Sequence, residues 1–370
     1  MKVKIERAAL LKAMSRAQGV VERRNTIPIL SNALIEASDG AVRFRATDLD
    51  IEVQETAPAT VEKPGATTAP AHVLHEIARK LPDGAEVTLD AKEDGRLEVS
   101  AGRSRFSLPT LPREDFPVMA SATYATSYPI PAPVLRRLFE KASFAISTEE
   151  TRYYLNGVFL HAPEGGAPTL RAVATDGHRL ARIDADLPEG AAGCPGVIVP
   201  RKTVGELRKL LEDDEAVIGV SVSETKIRFE SGPLTLTSKV IDGSFPDYTR
   251  VIPSGHTRRL EVDASEFAKA VDRVATVSAD RTRAVKLALA EDRLTLSVST
   301  PEAASASDEI AVAYADEPME IGFNARYLLE IAGQVDRENA VLLFNGPGDP
   351  TLVREGDDES AIYVVMPMRV

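Results

Sequence analysis

The sequence contains one cysteine, Cys194, in 370 residues. A single thiol excludes an internal disulfide and a cysteine-rich metal site, so Cys194 is interpreted as a small residue of a GCPG turn. Long apolar segments are also missing: no run approaches the ~18 residues of a membrane span. The opening MKVKIERAAL carries charges where a secretory signal would have an apolar core. We therefore predict a cytoplasmic protein, and its length predicts about two to four domains.

The signatures of common enzyme classes are absent as well. The sequence has no GxxxxGK[ST], no GxGxxG after a strand, no HExxH and no GxSxG. Of the five histidines, His72 and His75 alone have a spacing found in metal sites, and a metal site there is not favoured. Asp48, Asp50 and Glu52 alternate on a predicted strand and are interpreted as an acidic exposed face rather than as ligands of catalytic metals. No catalytic residue, metal or cofactor is predicted.

What the sequence does contain is one pattern that occurs three times, with a period near 125–130 residues. Each copy opens with a short strand and an amphipathic helix: KVKIE before RAALLKAMSRAQ, YPIP before APVLRRLFEKAS, and RRLEV before DASEFAKAVDRVA. Leu10, Met14 and Ala17 share one helical face, and the other two helices have the same spacing. Asp263 and Glu266 fit a capping box at the start of the third helix.

Strand hairpins, a second helix and a final strand block follow in every copy. The second helices are AHVLHEIARKLP, PRKTVGELRKLLED and NARYLLEIAGQVD. Such an ordered recurrence is the signature of repeated structural units. It predicts an α+β fold with three similar domains, at residues 1–125, 126–256 and 257–370, each with two helices and about eight strands.

The charge is distributed unevenly. The net charge is −12, yet four helical segments (residues 1–24, 72–81, 134–141 and 201–209) together carry +11, so the remainder carries −23. Basic helices are typical of a site for a polyanion such as nucleic acid, although each charged run alone could be a solvated helix face. No base-reading motif accompanies the charge, which favours contacts to the DNA backbone.

Residues 174–181, ATDGHRLA, are the strongest candidate for chemistry. His178 could act as a base oriented by Asp176, but groups two residues apart seldom align in that way. Asp176 and Gly177 are also typical of a turn between strands, because glycine readily takes a positive φ. The ATD half recurs at residues 46–48, where no histidine follows, and is therefore interpreted as a hairpin feature of the fold. GHRL is the part particular to the second copy.

Several stretches together carry a family resemblance. They are TIPILSN (26–32), RATDLD (45–50), GRSRFSLPTLP (102–112), RYYLNG (152–157), ATDGHRLA (174–181), VIVPRK (197–202), TSKVIDGSFPDY (237–248), EIGFN (320–324) and YVVMPMRV (363–370). In combination they make the chain resemble the bacterial β sliding clamps, the processivity subunits of DNA polymerase III.

The resemblance implies a closed ring, formed as a head-to-tail homodimer, with helices around a central hole that holds double-stranded DNA without reading its sequence. Together with the basic helices, it gives a set of candidate DNA-binding residues. These are Arg24, His72, Arg79, Arg136, Arg137, Arg152, Tyr153, Tyr154, Arg201 and Lys202. Relatives often carry a basic residue in place of His72 and a glutamine in place of Glu149.

The resemblance also implies a hydrophobic groove that takes short peptide motifs from the replicative polymerase, the clamp loader and repair proteins. The matching positions are Leu155, Thr175, Gly177, His178, Arg179, Leu180, Pro246, Arg250, Val251, Asn324, Tyr327, Val364, Val365, Met366, Pro367, Met368 and Arg369. Apolar and methionine side chains give an adaptable floor, and Arg179, Arg250, Asn324 and Arg369 are expected to give polar contacts at the rim.

The subunit interface is expected to join residues 96–108 of the first domain in one subunit to residues 266–299 of the third domain in the other, which would pair exposed sheet edges. The candidate interface residues are Arg103, Arg105, Phe106, Thr276 and Val277. Two alternatives to a non-catalytic clamp stay open at this point: a repeat scaffold that binds only protein, and a hydrolase centred on His178.

Overall fold

The computed structural model describes residues 1–22, 26–165, 167–211, 213–277, 284–299 and 304–369. The helices are α1 (Arg7–Val20), α2 (Ala71–Lys80), α3 (Ala132–Ser143), α4 (Arg201–Leu210), α5 (Ala264–Ala275) and α6 (Ala325–Ala332). The strands of the first repeat are β1 (Lys2–Glu6), β2 (Asn32–Ser38), β3 (Ala41–Thr47), β4 (Ile51–Pro58), β5 (Thr60–Lys63), β6 (Gly65–Pro70), β7 (Glu86–Ala91), β8 (Arg96–Ala101) and β9 (Ser104–Pro109).

The second and third repeats add the remaining strands. Those of the second are β10 (Thr126–Pro131), β11 (Gly157–His161), β12 (Thr169–Thr175), β13 (Arg179–Asp186), β14 (Val197–Pro200), β15 (Val217–Val222), β16 (Lys226–Ser231) and β17 (Leu234–Lys239). Those of the third are β18 (Arg258–Asp263), β19 (Ala284–Ala290), β20 (Arg293–Ser299), β21 (Ser305–Ala311), β22 (Met319–Asn324), β23 (Asn339–Phe344), β24 (Thr351–Glu355) and β25 (Asp358–Val365). The predicted α+β class, with two helices in each repeat, is confirmed.

The helices form where the apolar spacing predicts them. Leu10, Met14 and Ala17 of α1 are at most 1 % exposed, because residues separated by three or four positions lie on one helical face. In α5, the Asp263 side chain accepts a hydrogen bond from the backbone N–H of Glu266 at 2.7 Å. This bond satisfies one of the N–H groups that every helix start leaves without an intrahelical partner.

The chain forms two compact units, and the first comprises residues 1–136 and 188–241. It contains a five-stranded sheet in the order β5-β1-β7-β8-β9 and an eight-stranded sheet in the order β10-β15-β16-β17-β4-β3-β2-β6. Neighbouring strands are antiparallel, and the pair β17–β4 joins the second repeat to the first, with Leu236 opposite Val53. The larger sheet of this unit is therefore assembled from two repeats.

The second unit comprises residues 137–187 and 242–370. Within it, β11-β12-β13-β25-β24-β23-β18 run in this order in one sheet, and β21-β20-β19-β22 form another. The pair β13–β25 joins the second repeat to the third, with Leu180 opposite Val364. Both units thus use an antiparallel pair between strands of different repeats.

The two cross-repeat pairs end in the same way. In the first unit, the Lys239 N–H donates to the Asp50 carbonyl at 2.8 Å, and the Ile241 N–H donates to the Ile198 carbonyl at 2.9 Å. In the second unit, the Met366 N–H donates to the His178 carbonyl at 2.9 Å, and the Met368 N–H donates to the Gly322 carbonyl at 2.8 Å. The same backbone connections therefore recur in successive repeats, as the sequence pattern predicts.

A cluster of aromatic side chains fills one side of the β13–β25 pair in the second unit. The Phe159 ring stacks on Phe245, with centroids 5.0 Å apart, and on His161, with centroids 4.4 Å apart. Tyr248 packs with Val173, Leu180 and Val364. Its hydroxyl lies 3.1 Å from His161 Nε2 and 3.1 Å from Arg171 Nη1.

We expect His161 to make the second unit sensitive to acid. Burial lowers the pKa of His161 from 6.5 to about 4, so the unfolded chain binds a proton more readily than the folded chain. The stability that this difference contributes is complete above about pH 6.5 and is lost as the pH falls toward 4. Between pH 6.5 and pH 4, the free energy of unfolding of His161→Gln should therefore fall by about 1 kcal/mol less than that of the wild type, after allowance for solvent screening.

Urea unfolding of the full chain at both pH values measures this effect. Phe245→Leu is the control, because it disturbs the same stack without removing a titrating group, and it should lower stability equally at both pH values. A His161→Gln variant with the same pH dependence as the wild type would contradict the assignment.

Candidate functional site

The turn at residues 175–179 has the backbone geometry that the sequence predicts. Gly177 has φ +88°, and the Thr175 hydroxyl donates to the Arg179 carbonyl at 2.7 Å. One oxygen of Asp176 accepts from the backbone N–H groups of His178 and Arg179, at 2.9 and 3.1 Å. The other oxygen pairs with Arg179 Nε at 3.1 Å. Both carboxylate oxygens of Asp176 thus hold the turn and Arg179.

The turn of the first repeat, Thr47–Ile51, repeats these bonds. The Thr47 hydroxyl donates to the Ile51 carbonyl at 2.9 Å, and Asp48 accepts from the N–H groups of Asp50 and Ile51 at 2.9 and 2.8 Å. Leu49 occupies the position of the glycine, with φ +82°, a conformation that costs an ordinary residue about 1–2 kcal/mol. The prediction that ATD is a hairpin feature is confirmed, whereas the predicted alternation of Asp48 and Asp50 on a strand is wrong.

Arg179 lies beneath the surface, where it joins three segments of the second unit. Its side chain is 5 % exposed and forms ion pairs with Asp176 and Glu330. It also donates to the Phe144 carbonyl at 2.7 Å, and its guanidinium lies 4.4 Å from the Tyr327 ring centroid. The expectation that Arg179 is a polar contact at the groove rim is therefore wrong, because its donors are already used within the fold.

The remaining groove candidates in the second unit divide into a floor and a surface. Leu180 and Val364 are each 2 % exposed and form the floor with the aromatic cluster, and Leu155 and Val365 are also buried. The candidates at the surface, each exposed or partly exposed, are Thr175, Gly177, His178, Pro246, Arg250, Val251, Asn324, Tyr327, Met366, Pro367, Met368 and Arg369. Among these, the His178 ring stacks on Tyr327, with centroids 6.3 Å apart and planes at 23°.

The end of the chain forms one side of this groove. We refer to residues 366–369 as the tail. The tail is bound through alternate residues, by Met366 to the turn at His178 and by Met368 to β22 at Gly322, while Pro367 between them has no N–H to donate. Met366 is 38 % exposed and Val251 is 49 % exposed. Large apolar side chains are thus presented to solvent above an apolar floor.

Asn324 also has a structural role. Its side-chain oxygen accepts from the Arg326 N–H at 2.9 Å and caps α6. Sequence reasoning missed Phe159, Phe245 and Tyr248 of the floor. The FP pair at residues 245–246, which recurs at 116–117, was the available signal for Phe245.

Three of the predicted DNA-binding cations, Arg136, Arg137 and Lys202, donate to backbone carbonyls of the protein. Arg136 donates to the Leu211 carbonyl at the end of α4 and pairs with Asp214. Lys202 donates to the Val20 carbonyl at the end of α1, at 2.9 Å, and pairs with Asp48.

Arg137 is bound in a similar manner. Its guanidinium donates to the Asp184 carbonyl at 2.9 Å and to the Ser360 hydroxyl at 2.6 Å, on β13 and β25. These three cations thus have acceptors within the fold, and their role as DNA-facing charges stays a prediction. Arg136 and Lys202 bind at the ends of α4 and α1, where cations are favourable because the last carbonyls carry a partial negative charge. The sequence alone could not distinguish this role from phosphate binding.

The other DNA-binding candidates lie at or near the surface. Arg201 is exposed, and Arg79 is exposed beside Glu76, with which it forms an ion pair at 2.7 Å. His72 is partly buried, and its Nε2 lies 3.2 Å from the Val21 carbonyl oxygen. Arg24 lies outside the described residues.

The predicted Arg152–Tyr154 stretch lies beside the turn of the second unit. Tyr153 is 53 % exposed, and its ring packs edge-on against Tyr154. Arg152 pairs with Glu149 at 2.7 Å, which lowers the pKa of that carboxyl. A Cβ atom at Gly177 would lie 2.6 Å from Arg152 Nη1, so a larger residue at the turn would displace the end of this flexible side chain.

The candidate interface residues lie in two places, at the edge strand β9 and directly after α5. β9 is an edge strand of the five-stranded sheet, and Arg103, Arg105 and Phe106 on or beside it are exposed. Thr276 and Val277 directly follow α5, and the Thr276 hydroxyl donates to the Asp272 carbonyl at 3.0 Å.

The described residues contain neither a metal-binding cluster nor a helix that could span a membrane. No cluster of three or more histidine, cysteine, aspartate or glutamate side chains there is arranged to hold a metal ion. None of the described helices is long and apolar enough to cross a membrane.

Comparison with known proteins identifies the family. Residues 1–120, 129–247 and 249–369 match the N-terminal, central and C-terminal domains of the DNA polymerase III beta subunit. The beta sliding clamp of Caulobacter vibrioides is 55 % identical over 372 residues, covering 100 % of both chains. A DnaN sliding clamp from Bartonella birtlesii bound to griselimycin is 48 % identical and matches with a TM-score of 0.97 over 100 % of both chains.

A C. crescentus beta sliding clamp, with polyethylene glycol bound to a putative beta-motif tethering region, is 55 % identical and has a TM-score of 0.95, again over 100 % of both chains. These relatives support the clamp interpretation rather than a protein-only scaffold or a hydrolase. The chain belongs to the DNA polymerase III beta subunit family and is a sliding clamp of DNA replication.

Proposed function

We propose that two copies of the chain close into a head-to-tail ring around duplex DNA, and that the groove of the second unit binds peptide segments of DNA polymerase III, the clamp loader and repair proteins. The chain itself performs no chemistry in this proposal and acts in the cytoplasm. Its three domains are proposed to meet near residues 125 and 256. The presence of exposed Met366 and Val251 above a buried aromatic floor is the observation on which the partner role depends most.

The pattern of strand pairing supports the ring. A pair between repeats extends each larger sheet within the chain, and β9 and β21 are edge strands of the five-stranded and four-stranded sheets. Phe106 on β9 is 37 % exposed. An unpaired edge with an exposed aromatic residue is a site for strand addition, and a head-to-tail contact between the two terminal sheets gives a closed ring when its rotation closes.

The absence of chemistry is supported by the turn that carries His178. A histidine base needs a partner that orients its ring, and both oxygens of Asp176 are used by backbone N–H groups and by Arg179. The His178 ring stacks on Tyr327 instead. This arrangement suits a contact surface for apolar and aromatic groups of a partner.

Adjacent residues of α4 allow the DNA proposal to be tested. Arg201→Ala removes an exposed cation and should leave the melting temperature unchanged. The slope of log binding constant against log salt concentration should become shallower by about one for each phosphate contact that is lost. Lys202→Ala should instead lower stability by about 1–2 kcal/mol, because it removes the Lys202 ammonium from Asp48 Oδ2 and from the Val20 carbonyl.

Salt titrations of binding to a short duplex, together with thermal melts, distinguish the two variants. A Lys202→Ala variant that melts like the wild type and loses as much salt dependence as Arg201→Ala would contradict this division of roles.

A chain that ends at Val365 tests the groove. It lacks the tail and so loses the bonds to His178 and Gly322 together with the exposed Met366 side chain. Loss of a central apolar contact should weaken binding of the DNA polymerase III catalytic subunit by tenfold or more, which corresponds to about 1.4 kcal/mol. Surface plasmon resonance measures the affinity, and light scattering and DNA retention should match the wild type. Unchanged polymerase affinity would exclude the tail from the partner site.

A further inference from the structure

The outer face of the four-stranded sheet in the second unit contains a cavity of about 1080 Å³ that the groove candidates do not explain. Its lining consists of residues of all four strands, two residues of the loop at residues 346–350 (GPGDP) and residues of the tail. These are Ala284, Lys286, Ser297, Val298, Ser299, Ser305, Ala306, Ser307, Glu320, Ile321, Gly322, Pro347, Gly348, Pro367, Met368 and Arg369.

The floor of this cavity is a sheet face with small side chains. Ser297 lies opposite Ser307, and Ser299 lies opposite Ser305, across β20 and β21. On the next strand pair, Lys286 lies opposite both Ser297 and Gly322. On β19 and β20, the alternate residues are buried on the other face of the sheet, as the period of two requires. The result is a flat, hydroxyl-rich surface without large apolar groups.

Lys286 and Glu320 form an ion pair at 3.2 Å across this floor. Among the described residues that line the cavity, they are the only such pair. They compensate each other, so the floor does not select strongly for one sign of charge. Arg369, on the tail, is exposed at the wall of the cavity. An acidic residue of a ligand would be favoured beside it.

The cavity is continuous with the proposed groove. The tail residues Pro367, Met368 and Arg369 belong to both. On β22, Gly322 lies in the cavity, and Asn324, two residues further and on the same face, is a groove candidate that pairs with Ala284 of the cavity floor. A chain that leaves the groove along this side therefore passes directly onto the small-residue face.

We propose that this cavity receives the segment of a partner protein that directly adjoins the short peptide held in the groove. The inference rests on the proposed partner role of the groove. The segment is extended, because a flat face of small residues leaves room for a backbone and offers serine hydroxyls to its N–H and C=O groups. Four strands at ~4.8 Å spacing give a floor roughly 14 Å wide, which fits about four extended residues.

Site-specific photo-crosslinking tests the inference. A benzoylphenylalanine is placed at Ser307 in the cavity, at Val251 in the groove or at Thr295, and each full-length chain is irradiated with DNA polymerase III. Thr295 lies on β20, on the same face as Ser297 but outside the cavity, and is the matched control. Ser307 and Val251 should crosslink to neighbouring positions of one polymerase segment, and Thr295 should not crosslink.

Each outcome has a distinct meaning. If Val251 crosslinks and Ser307 does not, or if Ser307 crosslinks to a remote part of the polymerase, the inference is overturned while the groove proposal stands. If Val251 gives no crosslink, the groove proposal fails and the inference fails with it.

An affinity measurement provides the second test. Ser297→Tyr fills the cavity floor on an exposed sheet face and should weaken polymerase binding roughly threefold to tenfold, whereas Thr295→Tyr should bind like the wild type. Wild-type affinity for both variants would overturn the inference, as would an equal loss for both.

Discussion

The structure depends on antiparallel strand pairing between successive repeats. The β17–β4 pair in the first unit and the β13–β25 pair in the second extend a sheet of one repeat with strands of the next. Each pair ends at a Thr–Asp turn that is held by the same side-chain and backbone bonds. Because backbone hydrogen bonds fix the register of a sheet, the position of the residues beyond each pair is determined as well.

This constraint explains how two turns with the same backbone present different surfaces. At the second-unit turn, the side chains are Gly177, His178 and Met366, and the surface is apolar and aromatic. The corresponding residues of the first unit are Leu49, Asp50 and Lys239. Asp50 forms an ion pair with Lys239 at 2.9 Å. The backbone bonds are alike, so the difference between the two surfaces lies in the side chains that the turn presents.

A second consequence concerns charge. Arg136 and Lys202 bind carbonyls at helix ends, and Arg7 does the same for α2, donating to the carbonyls of Ala78 and Arg79 at 2.8 and 2.9 Å. In the second unit, buried Lys141 binds the Gln334 carbonyl beyond α6 and pairs with Glu355 at 2.6 Å. Many helix cations therefore stabilise the fold, and fewer are available for phosphates than the sequence count indicates.

The sequence was informative wherever the relevant partners are local. Apolar spacing predicted the helices, and the glycine after Asp176 predicted the turn. The sequence was not informative about long-range partners: Arg179 meets Glu330 from 151 positions away, and Lys202 meets Asp48 from 154. Basic residues destined for helix ends and those destined for solvent have the same appearance in a charge count. The aromatic floor was missed for the same reason, because Phe159 and Phe245 meet only in the folded sheet.

In the proposed ring, DNA is held by topology rather than by affinity. The most direct test is retention of the loaded protein on nicked circular DNA at physiological salt, before and after the circle is cut once by a restriction enzyme. The account predicts stable retention on the circle and rapid loss from the ends of the linear product. Equal retention on both forms, or equal loss from both, would contradict it.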